Sequence, residues 1–354
     1  MGKVLMKGNE VIGEAAILAG CHYFFGYPIT PQSELVAYMA KRLPEVKGLF
    51  LQAESEVSAI NMVYGASSAG VRVMTSSSSP GFSLKQEGIS YLAAANLPAV
   101  IVNIARGGPG LGNIQPSQSD YFQVTKGGGH GDYYTPVLAP STLQEIVDLT
   151  QEAFRIADQY RTPVILLGDG MLGQMMEPVE FLKTDNQIVI DKEWATTGTK
   201  GDGSPKTITS LDLNDVKLEE RNCKLQEKYK LIRRNEIKVD TYLMEDAEMA
   251  IVAYGTVARI CQSAIDRVRD EGMKIGLIRP ISLWPYPTDV IASYCERLNK
   301  IVVVEMSAGQ MVEDVRLSVE GKVPISFYGR TGGIIPTVEE LVEQFQMHGN
   351  GVLR

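Results

Sequence analysis

Along the chain, short apolar runs alternate with longer stretches in which apolar residues return every third or fourth position. HYFFGY (22–27) precedes PQSELVAYMAKRL, GLFLQA (48–53) precedes SEVSAINMVYGASSAG, VRVMTSS (71–77) precedes GFSLKQEGISYLAAA, and PAVIVNIA (98–105) opens into a long Gly-rich loop. Short apolar runs suit buried strands and the wider spacing suits amphipathic helices, so their alternation predicts an α/β fold with a doubly wound parallel sheet. A further pair, STLQEIVDLTQEAFRIADQY (141–160) then TPVILLGDG (162–170), extends it. There Ser141 with Gln144 reads as a capping box, and Thr162-Pro163 as the turn into a buried strand.

The alternation lapses after a first domain spanning 1–185. From 186 to 240 the composition turns to Asp, Lys, Thr, Gly and Glu, in TTGTKGDGSPKT (196–207) and NDVKLEERNCKLQEKYKLIRRNE (214–236). Too polar for a core, this reads as a connector carrying one surface helix. Beyond it, MAIVAYG, KIGLIRP, KIVVVEM and ISFYG, each followed by helix-like sequence, predict a smaller second α/β domain over 241–354. No internal repeat is present beyond the shared strand–helix rhythm.

Charge narrows the function classes. With 34 basic against 42 acidic side chains the formal balance is −8, and no Lys/Arg tract interrupts it, which argues against nucleic acid and anionic membranes as partners. No apolar run reaches the roughly 20 residues of a membrane span, and MGKVLMKGNEV lacks the build of a signal peptide, so a cytoplasmic setting is expected. Cys21, Cys223, Cys261 and Cys295 stand far apart with no metal-ligand spacing, so neither zinc nor an iron–sulfur cluster is expected on this chain.

Ligands of open α/β sheets collect at the carboxyl ends of the strands. GYPITPQS (26–33), QAESEVS (52–58), SSSSPGFS (76–83) and ARGGPGLGNIQPSQSD (105–120) fall there. In the first, Pro28 ends a strand and Thr30-Pro31 fits an N-cap followed by proline at the first helical position, a place for an anion or carboxylate. Arg106 leaves an apolar strand for a Gly-rich loop, as a two-point carboxylate ligand does, or else pairs with a surface acid. If Ser55 caps a helix, Glu56 occupies its first position, where the helix dipole favours any acid. On pattern alone Glu54 and Glu56 are not separated. His130 and Asp132 lie in a second Gly-rich loop without a nucleophile beside them, and Asp169 in LLGDGML reads as a strand-end turn, because the Asn-Asn pair of a thiamine-diphosphate metal motif does not follow.

GYPITPQSE, QAESEVSAINMVYGA, TSSSSPGFSLKQEGISY and ARGGPGLGNIQPSQSDYFQ together resemble the α subunit of the 2-oxoacid:ferredoxin oxidoreductases, most of all the branched-chain 2-oxoisovalerate (3-methyl-2-oxobutanoate) group. The resemblance runs in order over nearly the whole chain. It implies a thiamine-diphosphate pyrimidine-type domain followed by a transketolase-C-terminal-like α/β domain, with thiamine diphosphate shared with a partner β subunit. Mg²⁺ and the [4Fe-4S] clusters are expected on partner subunits; γ and ferredoxin-like δ subunits, ferredoxin and coenzyme A complete the expected partners.

By the same resemblance Glu56 hydrogen-bonds N1′ of the cofactor's aminopyrimidine and holds or shares a proton there. Pro28, Ser79 and Gly81 line the cofactor, and Thr30 and Arg106 hold the substrate's carboxylate and 2-oxo group. No metal ligand is carried over. Glu54 keeps a structural role. The implied reaction is oxidative decarboxylation of a 2-oxoacid to acyl-CoA and carbon dioxide, with single electrons passing to ferredoxin, in an anaerobic setting. Leu111–Gln115 offers no second cation for a dicarboxylate, which favours an apolar branched chain. The competing readings are the β subunit of a lipoamide-linked 2-oxoacid dehydrogenase, which YPITP and RGGPGLGN oppose, and a non-catalytic α/β scaffold, which the presence of Glu56, Thr30 and Arg106 opposes.

Overall fold

A computed structural model describes residues 2–182, 191–199 and 205–349. Parts of the expected connector and the last residues of the second domain lie outside the described residues.

The chain starts with β1 (Val4–Lys7) and α1 (Gly8–Leu18), then runs through β2 (Tyr23–Gly26), α2 (Ser33–Glu45), β3 (Leu49–Gln52), α3 (Glu56–Ser68), β4 (Val73–Ser77), α4 (Ser79–Ala94) and β5 (Ala99–Ala105). After the loop come α5 (Tyr121–Thr125), β6 (Val137–Leu138), α6 (Leu143–Tyr160), β7 (Pro163–Asp169), α7 (Gly170–Gln174) and β8 (Met176–Val179). β1 and β8 pair antiparallel with each other, and β2 to β7, with one later addition, build a seven-stranded sheet ordered β12-β6-β7-β5-β4-β2-β3. Its pairings are parallel except where β12 (Ser282–Trp284) joins antiparallel at the β6 edge.

β5 shows why an unbroken apolar run makes the centre of such a sheet. Successive side chains point to opposite faces, so Ala99, Ile101 and Ala105 join one core and Val100, Val102 and Ile104 the other. α3 and α4 cover the first face through Ile60, Val63, Phe82, Ile89 and Leu92, while α1, α2 and α6 cover the second. That is the doubly wound arrangement the pattern predicts. α6 begins one residue later than expected: Thr142 is the N-cap, accepting from the Glu145 N–H at 3.1 Å, and Glu145 reaches back to the Ser141 N–H at 2.8 Å. Gln144 is instead taken up by the Glu180 backbone just past β8, so the expected Ser141/Gln144 box is replaced by a Thr142 cap with Glu145 bonded one residue further back.

α8 (Asp215–Asn235) is the surface helix, burying Tyr229 and Ile232. Tyr229 meets the edges of Tyr134 and Trp284, which stack at 4.9 Å, so the helix is fastened where the two sheets adjoin. Beyond it β9 (Val239–Tyr242), β10 (Met249–Val252), α9 (Gly255–Asp270), β11 (Ile275–Pro280), β12, α10 (Thr288–Tyr294), β13 (Lys300–Glu305), α11 (Met311–Val319), β14 (Ile325–Gly329) and α12 (Val338–Gly349) follow. They form a five-stranded sheet ordered β14-β13-β10-β11-β9, antiparallel only at β9. Among the described residues no helix is long and apolar enough to cross a membrane.

Candidate active site at the carboxyl rim of the large sheet

The carboxyl ends of β2, β3, β4 and β5 converge on one rim, and the acids of QAESEVS part company there. Ser55 takes an extended backbone and accepts the Ser58 N–H at 3.2 Å, which makes it the N-cap of α3 and Glu56 its first residue. Glu54, still outside the helix, is exposed and accepts the Ser58 hydroxyl at 2.9 Å. Glu56 is 6% exposed, and among the described residues no hydrogen bond reaches its carboxylate. Gly81, in the first turn of α4, makes this possible: a Cβ there would lie 2.3 Å from Glu56 Oε1 and 2.3 Å from Ser77 Oγ. Any larger residue displaces the carboxylate.

Behind Glu56 stands a residue that sequence reasoning missed. Lys85, fully buried on α4, donates to Thr75 Oγ1 at 3.1 Å and to the Glu56 carbonyl at 3.4 Å. Burial pushes its ammonium down to about 7 against the upward pull of the Glu56 charge. A signal was present: Phe82, Lys85, Ile89 and Leu92 share the buried stripe of α4, and a lysine there has to be accounted for.

Across the rim, Arg106 follows β5 and is 7% exposed. Its Nη1 donates to the Thr30 carbonyl and its Nη2 to the Leu111 carbonyl, both at 2.9 Å, while Nε has no partner. The surface-acid alternative does not describe it, since no ion pair forms at Arg106 among the described residues. Its backbone N–H donates to Ser79 Oγ at 2.9 Å, and Ser79 in turn donates to Asp120 Oδ2 at 2.6 Å. Asn103 donates to the same Asp120 oxygen at 2.8 Å. Burial raises the Asp120 carboxyl above its ordinary value, opposed by Ser79, Asn103 and the Arg106 charge. Asp120 and Asn103 were not singled out from the sequence, because neither lies in a spacing that marks chemistry.

The Thr30 cap is a correction. α2 starts at Ser33, not after Thr30, because Gln32 is drawn inward: its N–H reaches the Ile29 carbonyl at 3.0 Å, its Nε2 the Tyr27 carbonyl, and its Oε1 accepts the Ser76 hydroxyl at 2.6 Å. The resulting turn leaves Thr30 exposed on the rim beside Arg106, and Pro28 is exposed just before it. Asp169, read as a strand-end turn, is the last residue of β7 and the N-cap of α7: it accepts the Met171 and Leu172 N–H groups and the Thr256 hydroxyl of α9. His130 and Asp132 are exposed. The loop after Arg106 is shaped by Gly112, at φ +60° with a Cβ position only 1.8 Å from the Gly107 oxygen, and is tied to the second sheet's side by Asn113 donating to Gly332 at 2.7 Å.

Ser77 Oγ, Ser78 Oγ, Asn103 Oδ1 and Arg106 Nε are buried around this rim without partners among the described residues. An orphaned buried polar group costs about 1–3 kcal/mol, so such a cluster marks a surface completed by a ligand.

Residues 14–256 match the family described as pyruvate flavodoxin/ferredoxin oxidoreductase, thiamine-diphosphate-binding, and residues 247–341 match pyruvate:ferredoxin oxidoreductase core domain II. The chain belongs to this family. The ketoisovalerate oxidoreductase subunit VorB of Methanothermobacter thermautotrophicus is 48% identical to this oxidoreductase chain over 98% of each. A solved 2-oxoglutarate:ferredoxin oxidoreductase from Magnetococcus marinus, with 2-oxoglutarate, coenzyme A and succinyl-CoA bound, matches 98% of the oxidoreductase chain at 27% identity and TM-score 0.87. The chain spans 65% of that solved chain's length. A split-gene transketolase, solved as an inactive β4 tetramer, shares the fold alone, at 14% identity and TM-score 0.59 over 96% of this chain and 97% of that one. The expected pyrimidine-type domain followed by a transketolase-C-terminal-like α/β domain is therefore the architecture of this oxidoreductase chain.

The rim fits the pyrimidine half of thiamine diphosphate. A buried carboxylate with no hydrogen-bond partner among the described residues, packed directly on a glycine, is what a ring nitrogen carrying a proton requires. No group of three or more His, Cys, Asp or Glu side chains that could hold a metal occurs among the described residues.

Proposed function

We propose that this chain is the α subunit of a thiamine-diphosphate-dependent 2-oxoacid:ferredoxin oxidoreductase that converts a branched-chain 2-oxoacid to acyl-CoA and carbon dioxide. The observation that carries the reading is the buried Glu56 at the start of α3, packed on Gly81, with a carboxylate that no hydrogen bond reaches among the described residues. The bound cofactor supplies a thiazolium carbon able to attack a 2-oxo group and a ring that accepts the electrons left when carbon dioxide departs. Glu56 holds a proton between its carboxylate and N1′ of the pyrimidine, raising the basicity of the ring's 4′-amino group. Gly81 and Ser79 keep the cofactor face open, and Pro28 closes its edge. Arg106 gives up carbonyl contacts to bind the substrate carboxylate in a water-poor rim, with Thr30 beside it. Ser79 holds the Arg106 backbone, with Asp120 behind it.

We further propose the division into a domain over 1–185, a connector over 186–240 and a second domain over 241–354. The diphosphate and Mg²⁺ are assigned to a β subunit; iron–sulfur clusters, γ and ferredoxin-like δ subunits, coenzyme A and ferredoxin are the remaining partners, in the cytoplasm. The substrate reading is supported by the 48% identity to a ketoisovalerate oxidoreductase subunit and by exposed Leu111 and Ile114 in a loop without a cation.

Acyl-CoA synthesis by the reconstituted subunits tests this, with 2-oxoisovalerate, pyruvate, 2-oxoglutarate and indolepyruvate offered alongside a viologen acceptor. The highest kcat/KM is expected for 2-oxoisovalerate, and a preference for 2-oxoglutarate overturns the substrate class. The chain purified alone is expected to lack turnover and to bind thiamine diphosphate weakly; robust single-chain activity contradicts the subunit assignment.

A further inference from the structure

Lys85 has no role in the reading above, yet its position is costly. A fully buried ammonium forfeits its hydration, and a methionine of similar length would fill the space between α3, α4 and β4 without that cost. Two of its protons are placed, on Thr75 Oγ1 at 3.1 Å and on the Glu56 carbonyl at 3.4 Å. Of the elements packed against it, β4 carries no ionisable side chain, and α3 carries Glu56 and the partly buried Tyr64. Glu56 is the charge that acts on Lys85.

We propose that Lys85 is a positioning residue for Glu56: it anchors the first turn of α3 from behind and places a buried positive charge beside the carboxylate that is to face the cofactor. The inference rests on the assignment of Glu56 to the cofactor's pyrimidine. The contact is one-sided by construction. The ammonium touches the backbone of Glu56 and not its carboxylate, so the carboxylate stays free for a ligand while still feeling the charge. Burial favours the neutral amine and the Glu56 charge favours the ammonium, leaving Lys85 to titrate at about 7. Above that value the positive charge beside Glu56 disappears; below it, the ammonium stays behind the first turn of α3.

The test is the rate of deuterium exchange at C2 of thiamine diphosphate in the assembled complex across pH, with cofactor affinity measured separately by titration. Lys85→Met is expected to slow exchange by about tenfold or more and to erase the wild-type inflection near neutrality, while cofactor affinity stays within about threefold. Thr75→Val removes an acceptor and keeps the charge, so the inflection is expected to move to lower pH. Lys85→Met with exchange and pH profile unchanged overturns the proposal, as does a loss of affinity with exchange unchanged, the mark of a purely structural residue. If Lys85→Met does not assemble, Thr75→Val decides: a shifted inflection supports the role and an unshifted one overturns it. Glu56→Gln, run in parallel, separates the two ideas. Exchange untouched by Glu56→Gln removes the reading on which Lys85 depends; exchange lost in Glu56→Gln but normal in Lys85→Met removes only Lys85.

Discussion

Each of the two sheets carries a buried glutamate at the mouth of a strand–helix unit, and the two are opposites in bonding. Glu305, at the end of β13, is fully buried and accepts four hydrogen bonds: Ser307 Oγ at 2.9 Å and the N–H groups of Gln310, Met311 and Val312 at 3.2, 3.0 and 2.9 Å. Glu56, at the start of the helix that follows β3, accepts none from the described residues. The arginines repeat the contrast. Arg279 of β11 is 5% exposed and donates to Ser141, Glu145 and Asp240, whereas Arg106 holds only two carbonyls and leaves Nε unpaired. The same architecture therefore has one rim whose buried ionisable side chains are bonded within the fold and one whose side chains are left over. A charge that the fold does not consume is available for chemistry.

The largest effect that tests this contrast is at Glu56. Glu56→Gln is expected to cut C2 proton exchange by about 10²–10⁴-fold, the range of a lost general acid–base group, with no loss of thermal stability. Glu54→Gln, altering an exposed acid of the same loop, is expected to leave exchange unchanged; the reverse result assigns the chemistry to the wrong carboxylate. Next comes the arginine pair. Arg106→Ala is expected to raise KM for the oxoacid by the equivalent of about 2–4 kcal/mol, with KM for coenzyme A little changed. Arg279→Ala is expected to lower the melting temperature and spare both constants. An unchanged oxoacid KM in Arg106→Ala removes that residue from the substrate site.

A smaller effect, in stability alone, is expected at Glu305. Burial raises its carboxyl above the ordinary value even though Met311, Val312, Ser307 and Gln310 pull it down. A carboxyl raised in the folded state contributes stability that is fully present below its unfolded value and is lost as pH rises through the folded one. Glu305→Gln cannot ionise and should cost about 1–3 kcal/mol in denaturation of the complex, more at about pH 4 than at about pH 8. A cost that grows with pH would place the charged form, not the neutral one, at the start of α11.

Much of this was legible in the sequence, for a physical reason. β2, β4, β5, β7, β10, β11 and β13 are apolar runs buried by helices, and β3 and β14 are apolar runs at the sheet edges; such runs announce themselves. β1, β6, β8, β9 and β12 were not expected: they span two to four residues, β6 and β12 pair across the two halves of the chain, and their strand state is conferred by the partner. The four site stretches were found because topology puts them at strand ends. Their internal assignments were harder. Separating Glu54 from Glu56 takes a burial difference that one residue of helix geometry creates, and the cap at Thr30 failed because Gln32 answers to Tyr27 and Ser76, contacts distant from the helix pattern. Lys85 escaped because a lysine is read as solvent-facing by default.

The smallest expected effect is the sharpest comparison, because it sets two serine hydroxyls against each other. Ser307 Oγ donates to Glu305 at 2.9 Å and accepts the Gly309 N–H at 3.0 Å, so its hydrogen-bonding belongs to the fold. Ser77 Oγ, buried at the end of β4 where a Gly81 side chain would collide with it, has no partner. Removing a buried hydroxyl that is already unpaired lifts a desolvation cost, while removing a paired one strands its partners. Ser77→Ala is thus expected to leave the apo complex as stable or stabilise it by about 0.5–1 kcal/mol, and Ser307→Ala to destabilise it by a similar amount. With thiamine diphosphate added the order should change. Ser77→Ala should gain less melting temperature from the cofactor than wild type, because a group the ligand completes is missing, and Ser307→Ala should gain as much as wild type. Equal cofactor shifts in both variants would mean that the unpaired hydroxyl at the rim of the large sheet is not part of the ligand surface.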